Sequence, residues 1–393
     1  MTVETLHIGF VALIDAGPLI VAEELGFAEE EGLRLDLRRA PSWSMLRDML
    51  AFGQIDAAQL LAPVPIATAL GLGGAVPRID ALQVLSVNGT VIGVSRGLAD
   101  ALRLGGHVFD FTDAAAAGRA MIAAAGDGGL RLGVPFPFSM QAELVHYWLN
   151  ALGFDAARGL IVRTVPPPRM AEAVEAGEID AFCVGEPWGS VGVERGAAEL
   201  LLPGAAIWSF APEKVLAVRH SWAETNHELG GRLSRAVWRA GRWLAVPGNR
   251  ATASELLARS SYLDLSPEVI ERALQGRLLI APGGTEAATE RFIEFHDGGA
   301  SFPWRSQAGW IAHRLALRHG LDPAMAAETG KAVFRPDLYR KFLKDTGAPM
   351  PGASEKIEGA TDGPVGVGAS QGRLILCRNR FFDGAIFDPA AEV

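Results

Sequence analysis

The amino-acid sequence predicts an α/β protein of two doubly wound lobes that face each other across a cleft. Strand-like and helix-like segments alternate along the first half of the chain, which is typical of parallel sheets flanked by helices. The alternation occurs twice in the same order, and both units carry Gly-x-Ile-Asp-Ala before a short apolar strand, at 53–57 and 177–181. Two further apolar segments, 83–95 and 213–222, are predicted to be strands that cross between the units. Two crossings predict a hinge beside the cleft.

The elements of the first unit follow from hydrophobic periodicity and from turn residues. Gly17-Pro18 marks a turn into a helix, and Ser42 is a side-chain cap for the helix that starts at Trp43. The unit is predicted as strand 6–14, helix 19–33, strand 34–40, helix 43–53, strand 55–62 and a helix start at 64–73.

The second unit repeats this order, and helical segments follow it. It is predicted as strand 131–136, helix 139–154, strand 158–165, helix 168–177 and strand 179–185. The segments 228–246, 251–263, 266–276 and 285–299 read as amphipathic helices that cover the first lobe. The predicted domains are lobe 1 (1–90 and 214–350), lobe 2 (91–213), a Gly/Pro/Ser-rich linker (351–373) and a C-terminal tail that docks on lobe 1 (374–393).

Composition excludes several classes of function. The formal net charge is −9 and no long basic run is present, so a direct nucleic-acid partner or an acidic membrane surface is not expected. The two cysteines lie far apart, the eight histidines show no metal-ligand spacing, and no phosphate-loop or nucleophile-elbow motif occurs. We therefore predict no enzyme, no cofactor and no metal.

The N-terminus and the apolar runs bear on localisation. The chain passes from its first methionine into a strand pattern without a signal-peptide pattern, which predicts a cytoplasmic protein. No apolar run reaches the ~18 residues of a membrane span, so no membrane insertion is expected.

Candidate ligand residues are those that the fold places at the cleft, because ligands of open α/β sheets bind outside the carboxyl ends of the strands. Helix starts add free backbone N–H groups and a favourable dipole for an anion. The strand ends select Gln59 and the run Glu186, Pro187 and Trp188; the helix starts select Trp43 and Gln141; the crossings select Asn88, Gly89 and Lys214.

These segments resemble the nitrate- and bicarbonate-binding proteins of ABC importers and the cytoplasmic nitrate/nitrite sensors that share their fold. The matching stretches run over nearly the whole chain and include SWSMLRDMLAFGQIDAAQLLAPVP, VGEPW, PEKVLAVR, DGGASFPWRSQAGW and FFDGAIFDPA. The resemblance implies the two-lobed periplasmic-binding-protein fold of type II. It also implies that a small anion is held by Trp43, Asn88, Glu186, Pro187, Trp188 and Lys214. The relatives carry histidine at the position of Gln141 and often a longer amide at Asn88.

The chemistry of the pocket bears on which anion binds. Nitrate and nitrite accept hydrogen bonds and donate none, so donors such as Trp43, Gln141 and Lys214 suit them. Bicarbonate also carries a proton and needs an acceptor. Glu186 either accepts that proton or pairs with Lys214.

Three functions are compatible with the resemblance. The first is a cytoplasmic nitrate or nitrite sensor whose lobe closure controls a regulatory partner, which in the relatives is an RNA-binding antiterminator. The second is the substrate-binding component of a nitrate, nitrite or bicarbonate ABC importer. The third is an enzyme on the same fold, similar to thiamin-pyrimidine synthases, for which the expected His or Cys chemistry is missing.

Overall fold

The computed structural model describes residues 3–284, 286–348, 350–370 and 373–390; the predicted linker and tail extend outside these ranges at 371–372 and 391–393. Strands alternate with helices as expected in the first two hundred residues. The strands are β1 (Glu4–Phe10), β2 (Leu33–Arg39), β3 (Ala57–Leu61), β4 (Ile79–Asn88), β5 (Thr90–Ser95), β6 (Leu130–Val134), β7 (Leu160–Thr164), β8 (Ala181–Gly185), β9 (Ala198–Pro203), β10 (Pro212–Arg219), β11 (Arg277–Leu279), β12 (Glu286–Ala288), β13 (Ile293–Glu294), β14 (Val365–Gly368) and β15 (Arg373–Leu376).

The helices cover both faces of the sheets and dominate the second half of the chain. Within the described ranges, none has the combination of length and apolar character that a membrane span needs. The helices are α1 (Gly17–Glu24), α2 (Phe27–Glu30), α3 (Trp43–Ala51), α4 (Pro63–Ala69), α5 (Arg96–Leu104), α6 (Ala114–Ala125), α7 (Met140–Ala151), α8 (Ala156–Gly159), α9 (Met170–Glu175), α10 (Trp188–Glu194), α11 (His220–Thr225), α12 (His227–Leu244), α13 (Arg250–Ala258), α14 (Pro267–Gln275), α15 (Arg305–His319), α16 (Pro323–Lys331) and α17 (Pro336–Leu343).

Each lobe is built around one sheet. Among the described residues, the sheet of lobe 1 has six strands in the order β13-β4-β10-β3-β1-β2, and that of lobe 2 has five in the order β7-β6-β8-β5-β9. Both sheets are mixed rather than parallel throughout: β2, β1 and β3 run parallel, as do β7, β6 and β8, whereas β10 and β5 run antiparallel to their neighbours. β5 and β10 are the first strands that follow the two passages of the chain from one sheet to the other, whereas β13, also antiparallel to its neighbour, forms later in the chain.

The chain passes between the two sheets at two places, the first inside the segment 83–95 that was predicted to cross and the second just before the predicted segment 213–222. The first crossing separates β4 from β5 at Asn88 and Gly89, whose φ angles are 61° and 90°. The second crossing is the segment 204–211 between β9 and β10. The predicted boundaries at 90/91 and 213/214 fall beside these two segments. Positive φ is strained for a residue with a side chain, and Asn tolerates it better than most. The apolar core is continuous through both lobes.

The helical segments that were predicted to cover the first lobe also contact the second. Arg318 of α15 lies 2.7 Å from Glu143 of α7, and Arg272 of α14 pairs with Glu194 of α10. The segment 285–299, predicted as a helix, instead contributes β12 and β13 within its described residues. Pairing of β13 with the end of β4 overrides its helix propensity.

The segment 351–373 was predicted to be a flexible linker, and its described residues correct that prediction. It carries β14, which pairs with β15, and it places Glu358 at 0% exposure. Glu358 accepts hydrogen bonds from Ser306 Oγ at 2.6 Å and Asn379 Nδ2 at 2.6 Å. Gly, Pro and Ser content predicted flexibility because these residues favour turns, but turns that are anchored by buried polar groups are ordered.

The C-terminal tail contacts more than lobe 1. Trp208 of the second crossing donates through Nε1 to Asn379 Oδ1 at 2.7 Å, and its ring lies 4.9 Å from that of Phe381. Tyr147 of α7, in lobe 2, donates to Asp383 at 2.8 Å. The tail therefore packs on the second crossing and on both lobes.

Candidate functional site

A buried ion cluster lies where the two lobes meet. Lys214 Nζ is 2.8 Å from Asp15 Oδ2 and 2.6 Å from Glu213 Oε1. Lys214 is 0% exposed, and Asp15 and Glu213 are each 1% exposed. Burial disfavours the charge of Lys214, but the two carboxylates raise its pKa. Burying three ionisable groups away from solvent costs free energy unless they pair with one another or with a ligand.

The strand ends gather these groups. Asp15 lies in the short 3₁₀ turn Ile14–Ala16 that follows β1, at the carboxyl end of a parallel strand. β10 runs antiparallel to β3, so its first residues lie beside the carboxyl end of β3. This is the sheet edge where open α/β folds bind ligands.

A β-bulge brings Glu213 into the cluster. Successive side chains of a strand point to opposite faces, so regular pairing would place only one of Glu213 and Lys214 toward Asp15. The pairing of β10 with β4 shifts between Pro212 and Lys214, which leaves Glu213 as an extra residue. Sequence analysis missed Glu213 for this reason. It also missed Asp15, although a buried acidic residue just after a strand was an available signal.

The side chain of Gln59 is hydrogen-bonded to Asp15. Its Oε1 accepts from Val11 N at 2.9 Å, and its Nε2 donates to Asp15 Oδ1. Both oxygens of Asp15 therefore accept a hydrogen bond, one from Gln59 and one from Lys214. Burial raises the pKa of Asp15, and Lys214 opposes that rise.

Trp43 covers the cluster with an unused donor. It is the first residue of α3, whose cap Ser42 accepts from Met45 N at 3.3 Å. Lys214 Nζ lies 5.3 Å from the centre of the Trp43 ring, within the range of a cation–π contact. Trp43 is 1% exposed, and its Nε1 has no hydrogen-bond partner among the residues that the structure describes. A buried unpaired N–H marks a place where a ligand acceptor fits.

Gln141 reaches the cluster from lobe 2. It lies in the first turn of α7, which Ser139 caps. Its Nε2 donates to Glu213 Oε1 at 2.5 Å, and its Oε1 is unpartnered within the described part of the chain. Gly185 of β8 permits this approach, since a Cβ there would lie 2.5 Å from Leu13 Cδ2 and 3.6 Å from Asp15 Oδ2.

Hydrogen bonds connect the two lobes at the segment Glu186, Pro187 and Trp188. The backbone of Glu186 donates to Gly89 O at 3.0 Å and accepts from Ile14 N at 3.1 Å. Its carboxylate accepts from Ser190 N at 3.2 Å, and burial raises its pKa to about 7. Of the two roles left open for Glu186, pairing with Lys214 is not what the structure shows, because Lys214 pairs with Asp15 and Glu213.

Trp188 forms a contact across the cleft. It is the first residue of α10, directly after Pro187, and its Nε1 donates to Ala12 O of lobe 1 at 2.6 Å. Its indole donor is therefore used between the lobes.

The structure does not bring the Asn88 side chain to the cluster. Its Nδ2 donates to Ser209 O at 2.9 Å, and its Oδ1 accepts from Ala211 N at 3.0 Å. Gly89 N donates to Phe292 O at 2.7 Å. Asn88 therefore ties the two crossings together, whereas Gly89 bonds to the segment before β13 and to Glu186. Neither residue contacts the cluster through these bonds.

A vestibule of about 750 Å³ lies outside the cluster, between the lobes. Trp188 and Ala12 line it, and so does Ser42, the residue before Trp43. The charged residues that line it are Arg39 of lobe 1, Arg169 of lobe 2 and Asp264, so its lining has a formal charge of +1 (two positive charges and one negative). Cationic walls raise the local concentration of an approaching anion.

One further group of metal-ligand types lies away from the cleft. Within the described ranges, Asp80, His220 and Glu224 come close enough to share an ion. Arg335 Nη1 lies 2.8 Å from Asp80 Oδ2 and 2.6 Å from Glu224 Oε1, so a guanidinium already balances both carboxylates.

The cluster has the chemistry to hold a small polar ligand. It offers a cation, an unpaired indole N–H, and unpaired oxygens on Gln141 and Glu213, all shielded from solvent. Electrostatic attraction and charge-assisted hydrogen bonds are stronger in such a place than in water.

Comparisons with known proteins identify the family and the fold. A model of the NMT1-like family matches residues 1–258. The crystal structure of the periplasmic nitrate-binding protein NrtA from Synechocystis PCC 6803 superposes with a TM-score of 0.83 at 26% identity, covering 98% of this chain and 96% of that one. This confirms the two-lobed fold and the resemblance to nitrate-binding proteins.

Proteins of similar sequence are also named as nitrate-binding or nitrate-import proteins. The nitrate/nitrite binding protein NrtA of Nostoc sp. is 28% identical over 390 residues, covering 97% of this chain and 82% of that protein. The nitrate import ATP-binding protein NrtC of Synechocystis sp. is 33% identical over 350 residues, which are 88% of this chain. The chain spans about half the length of the NrtC proteins that it matches.

Proposed function

The chain belongs to the NMT1-like family, and on that premise we propose that it is the substrate-binding component of an importer for a small inorganic oxyanion, nitrate or nitrite. The observation that carries the proposal is the buried, unpaired Nε1 of Trp43 above Lys214. A planar monoanion at this place would accept from the indole and face the ammonium. The names of the NrtA relatives, which bind nitrate and nitrite, support this ligand class.

The importer role is preferred to the cytoplasmic sensor that the first residues of the chain suggested. The relatives are named as binding and import proteins, and none of the observations above points to a regulatory protein partner. An enzymatic role has no support from these relatives, and the cluster contains no nucleophile with a lowered pKa: burial raises the pKa of the nearby Cys183 thiol.

Calorimetric titration with nitrate, nitrite, bicarbonate and an alkanesulfonate tests the proposal. We expect nitrate or nitrite to bind wild type, and Trp43→Phe to weaken that binding about 10- to 100-fold, the effect of losing one hydrogen bond to a charged group. The stability of the variant should hold, because the lost N–H has no partner among the described residues.

A matched control is Trp148→Phe. Trp148 is equally buried, but its Nε1 donates to Ala114 O at 2.7 Å, inside lobe 2. This variant should lose stability and keep its anion affinity. Absence of binding by all four anions would overturn the proposed function, and equal affinities of wild type and Trp43→Phe would overturn the placement of the anion.

Trp188→Phe should speed anion release. The substitution keeps an aromatic ring but removes the hydrogen bond to Ala12 O that joins the lobes. A hydrogen bond of this kind contributes about 0.5–1.5 kcal/mol, so we expect the dissociation rate to rise about 3- to 10-fold with little change in the association rate. Stopped-flow tryptophan fluorescence measures both rates. An unchanged dissociation rate would show that this contact does not limit opening.

A further inference from the structure

The two oxygens of the Glu213 carboxyl differ sharply in their surroundings. Oε1 accepts from Lys214 Nζ at 2.6 Å and from Gln141 Nε2 at 2.5 Å. Oε2 is buried and has no hydrogen-bond partner in the part of the chain that the structure describes. Asp15, by contrast, uses one oxygen for Gln59 and the other for Lys214. Glu213 Oε2 is thus the carboxyl oxygen of the cluster that is left for a ligand.

The net charge of the cluster limits which ligand groups can bind to Glu213 Oε2. Asp15 and Glu213 as carboxylates with Lys214 as an ammonium give the cluster a net charge of −1 (two negative charges and one positive). A bound monoanion would change the net charge from −1 to −2 in a site closed to solvent, where like charges repel strongly. One proton on Glu213 returns the total to −1 and converts Oε2 from an acceptor facing an anion into an O–H donor.

We propose that the site binds its oxyanion together with one proton, which Glu213 Oε2 holds and donates as a hydrogen bond to the anion. This inference rests on the proposed function. The proton comes from the solvent and forms the O–H bond of Glu213; no other covalent bond changes. The anion then meets Trp43 Nε1–H, the Lys214 ammonium and the Glu213 hydroxyl, three donors for an acceptor-only ligand.

The neighbours of Glu213 are compatible with protonation at this residue. Burial raises the pKa of Glu213 and Asp15 raises it further, whereas Lys214 and Gln141 oppose the rise. The titratable and charged groups around it are Lys214 on its own strand, Asp15 on the 3₁₀ turn and Cys183 on β8, while α3 and α7 present the neutral Trp43 and Gln141. A carboxyl held neutral in order to donate to a ligand is an established device of buried sites.

The affinity for nitrate should therefore fall as the pH rises. A bound anion favours the protonated carboxyl, so the pKa of Glu213 is higher in the complex than in the free protein. Affinity for nitrate is then constant below the free-protein pKa, falls up to tenfold per pH unit between the two pKa values, and is constant again above them.

The test is calorimetry of nitrate binding in buffers of different ionisation enthalpy, from about pH 5.5 to about pH 8.5. We expect the protein to take up close to one proton on binding nitrate, in the pH range where the affinity falls. Glu213→Gln should still bind nitrate, because its amide donates in place of the hydroxyl, but with no proton uptake and a flat pH profile.

Glu294→Gln is the matched control. Glu294 is another largely buried carboxyl, and burial raises its pKa to about 7. It lies on β13, outside the cluster, and pairs with Arg291. Its variant should keep the proton uptake of wild type. Nitrate binding without proton uptake, or uptake that persists in Glu213→Gln, would overturn this inference alone. Failure of wild type to bind any oxyanion across the whole pH range would overturn the proposed function as well.

Discussion

Replacing Lys214 by methionine should abolish anion binding and lower the free energy of unfolding by about 3–5 kcal/mol. Both effects have one origin, which is that Lys214 is the cation shared by Asp15 and Glu213 in a site without solvent. Removing one partner of a buried ion pair leaves the other uncompensated, and that costs about 3–5 kcal/mol. Chemical denaturation measures the stability, and calorimetry with nitrate and nitrite measures the binding.

A second variant separates the two effects. Adding Asp15→Asn and Glu213→Gln to Lys214→Met removes all three charges and nearly preserves the shapes of the side chains. Replacement of a whole buried ion cluster by neutral groups is often close to neutral for stability. We expect the triple variant to regain most of the lost stability and to remain unable to bind the anion. Binding retained by Lys214→Met would place the anion elsewhere.

Sequence reasoning located the cleft well because strand order and strand ends are encoded locally. Trp43, Gln141 and Lys214 each follow a recognisable signal, either a capped helix start or a strand entry, and all three meet in the cluster. Glu213 carried no such signal. Its place depends on a bulge between β10 and β4, two strands that are far apart in the sequence.

The direction of a side chain was harder to predict than its position. Asn88 and Trp188 lie beside the cleft as expected, yet their polar atoms bond to backbone groups of Ser209, Ala211 and Ala12. Those partners are fixed only when the lobes come together. An amide or an indole at a strand or helix end therefore predicts a position near the ligand, but not a contact with it.

Composition misled the prediction for 351–373. Glycine, proline and serine are common both in flexible linkers and in tight ordered turns, and their frequency alone does not separate the two. The residues that distinguish an ordered segment from a flexible linker here are Lys356 and Glu358, an ion pair in which Glu358 is fully buried. A charged pair inside a Gly/Pro-rich segment was an available signal for docking.

Glu358→Ala should therefore destabilise the protein by about 3–5 kcal/mol, although the residue lies in a segment of linker-like composition. Its removal leaves the buried ammonium of Lys356 and the amide of Asn379 without their acceptor, and burial already lowers the pKa of Lys356. Chemical denaturation measures the loss. Limited proteolysis should show faster cleavage after residue 350, because the tail is held on Trp208 through Asn379.

Glu328→Ala is the matched control for Glu358→Ala. Glu328 also pairs with a lysine, Lys331 at 2.6 Å, but its side chain is 74% exposed. The Glu328 carboxylate is screened by water and salt, and the buried Lys331 also donates to Pro389 O at 2.8 Å, so it keeps a partner when Glu328 is lost. Such a pair contributes about 0–1 kcal/mol. We expect the two variants to differ by at least about 2 kcal/mol. Equal, small losses would mean that the aromatic contacts of Phe381 with Trp208 and Trp310 hold the tail without help from the buried ion pair.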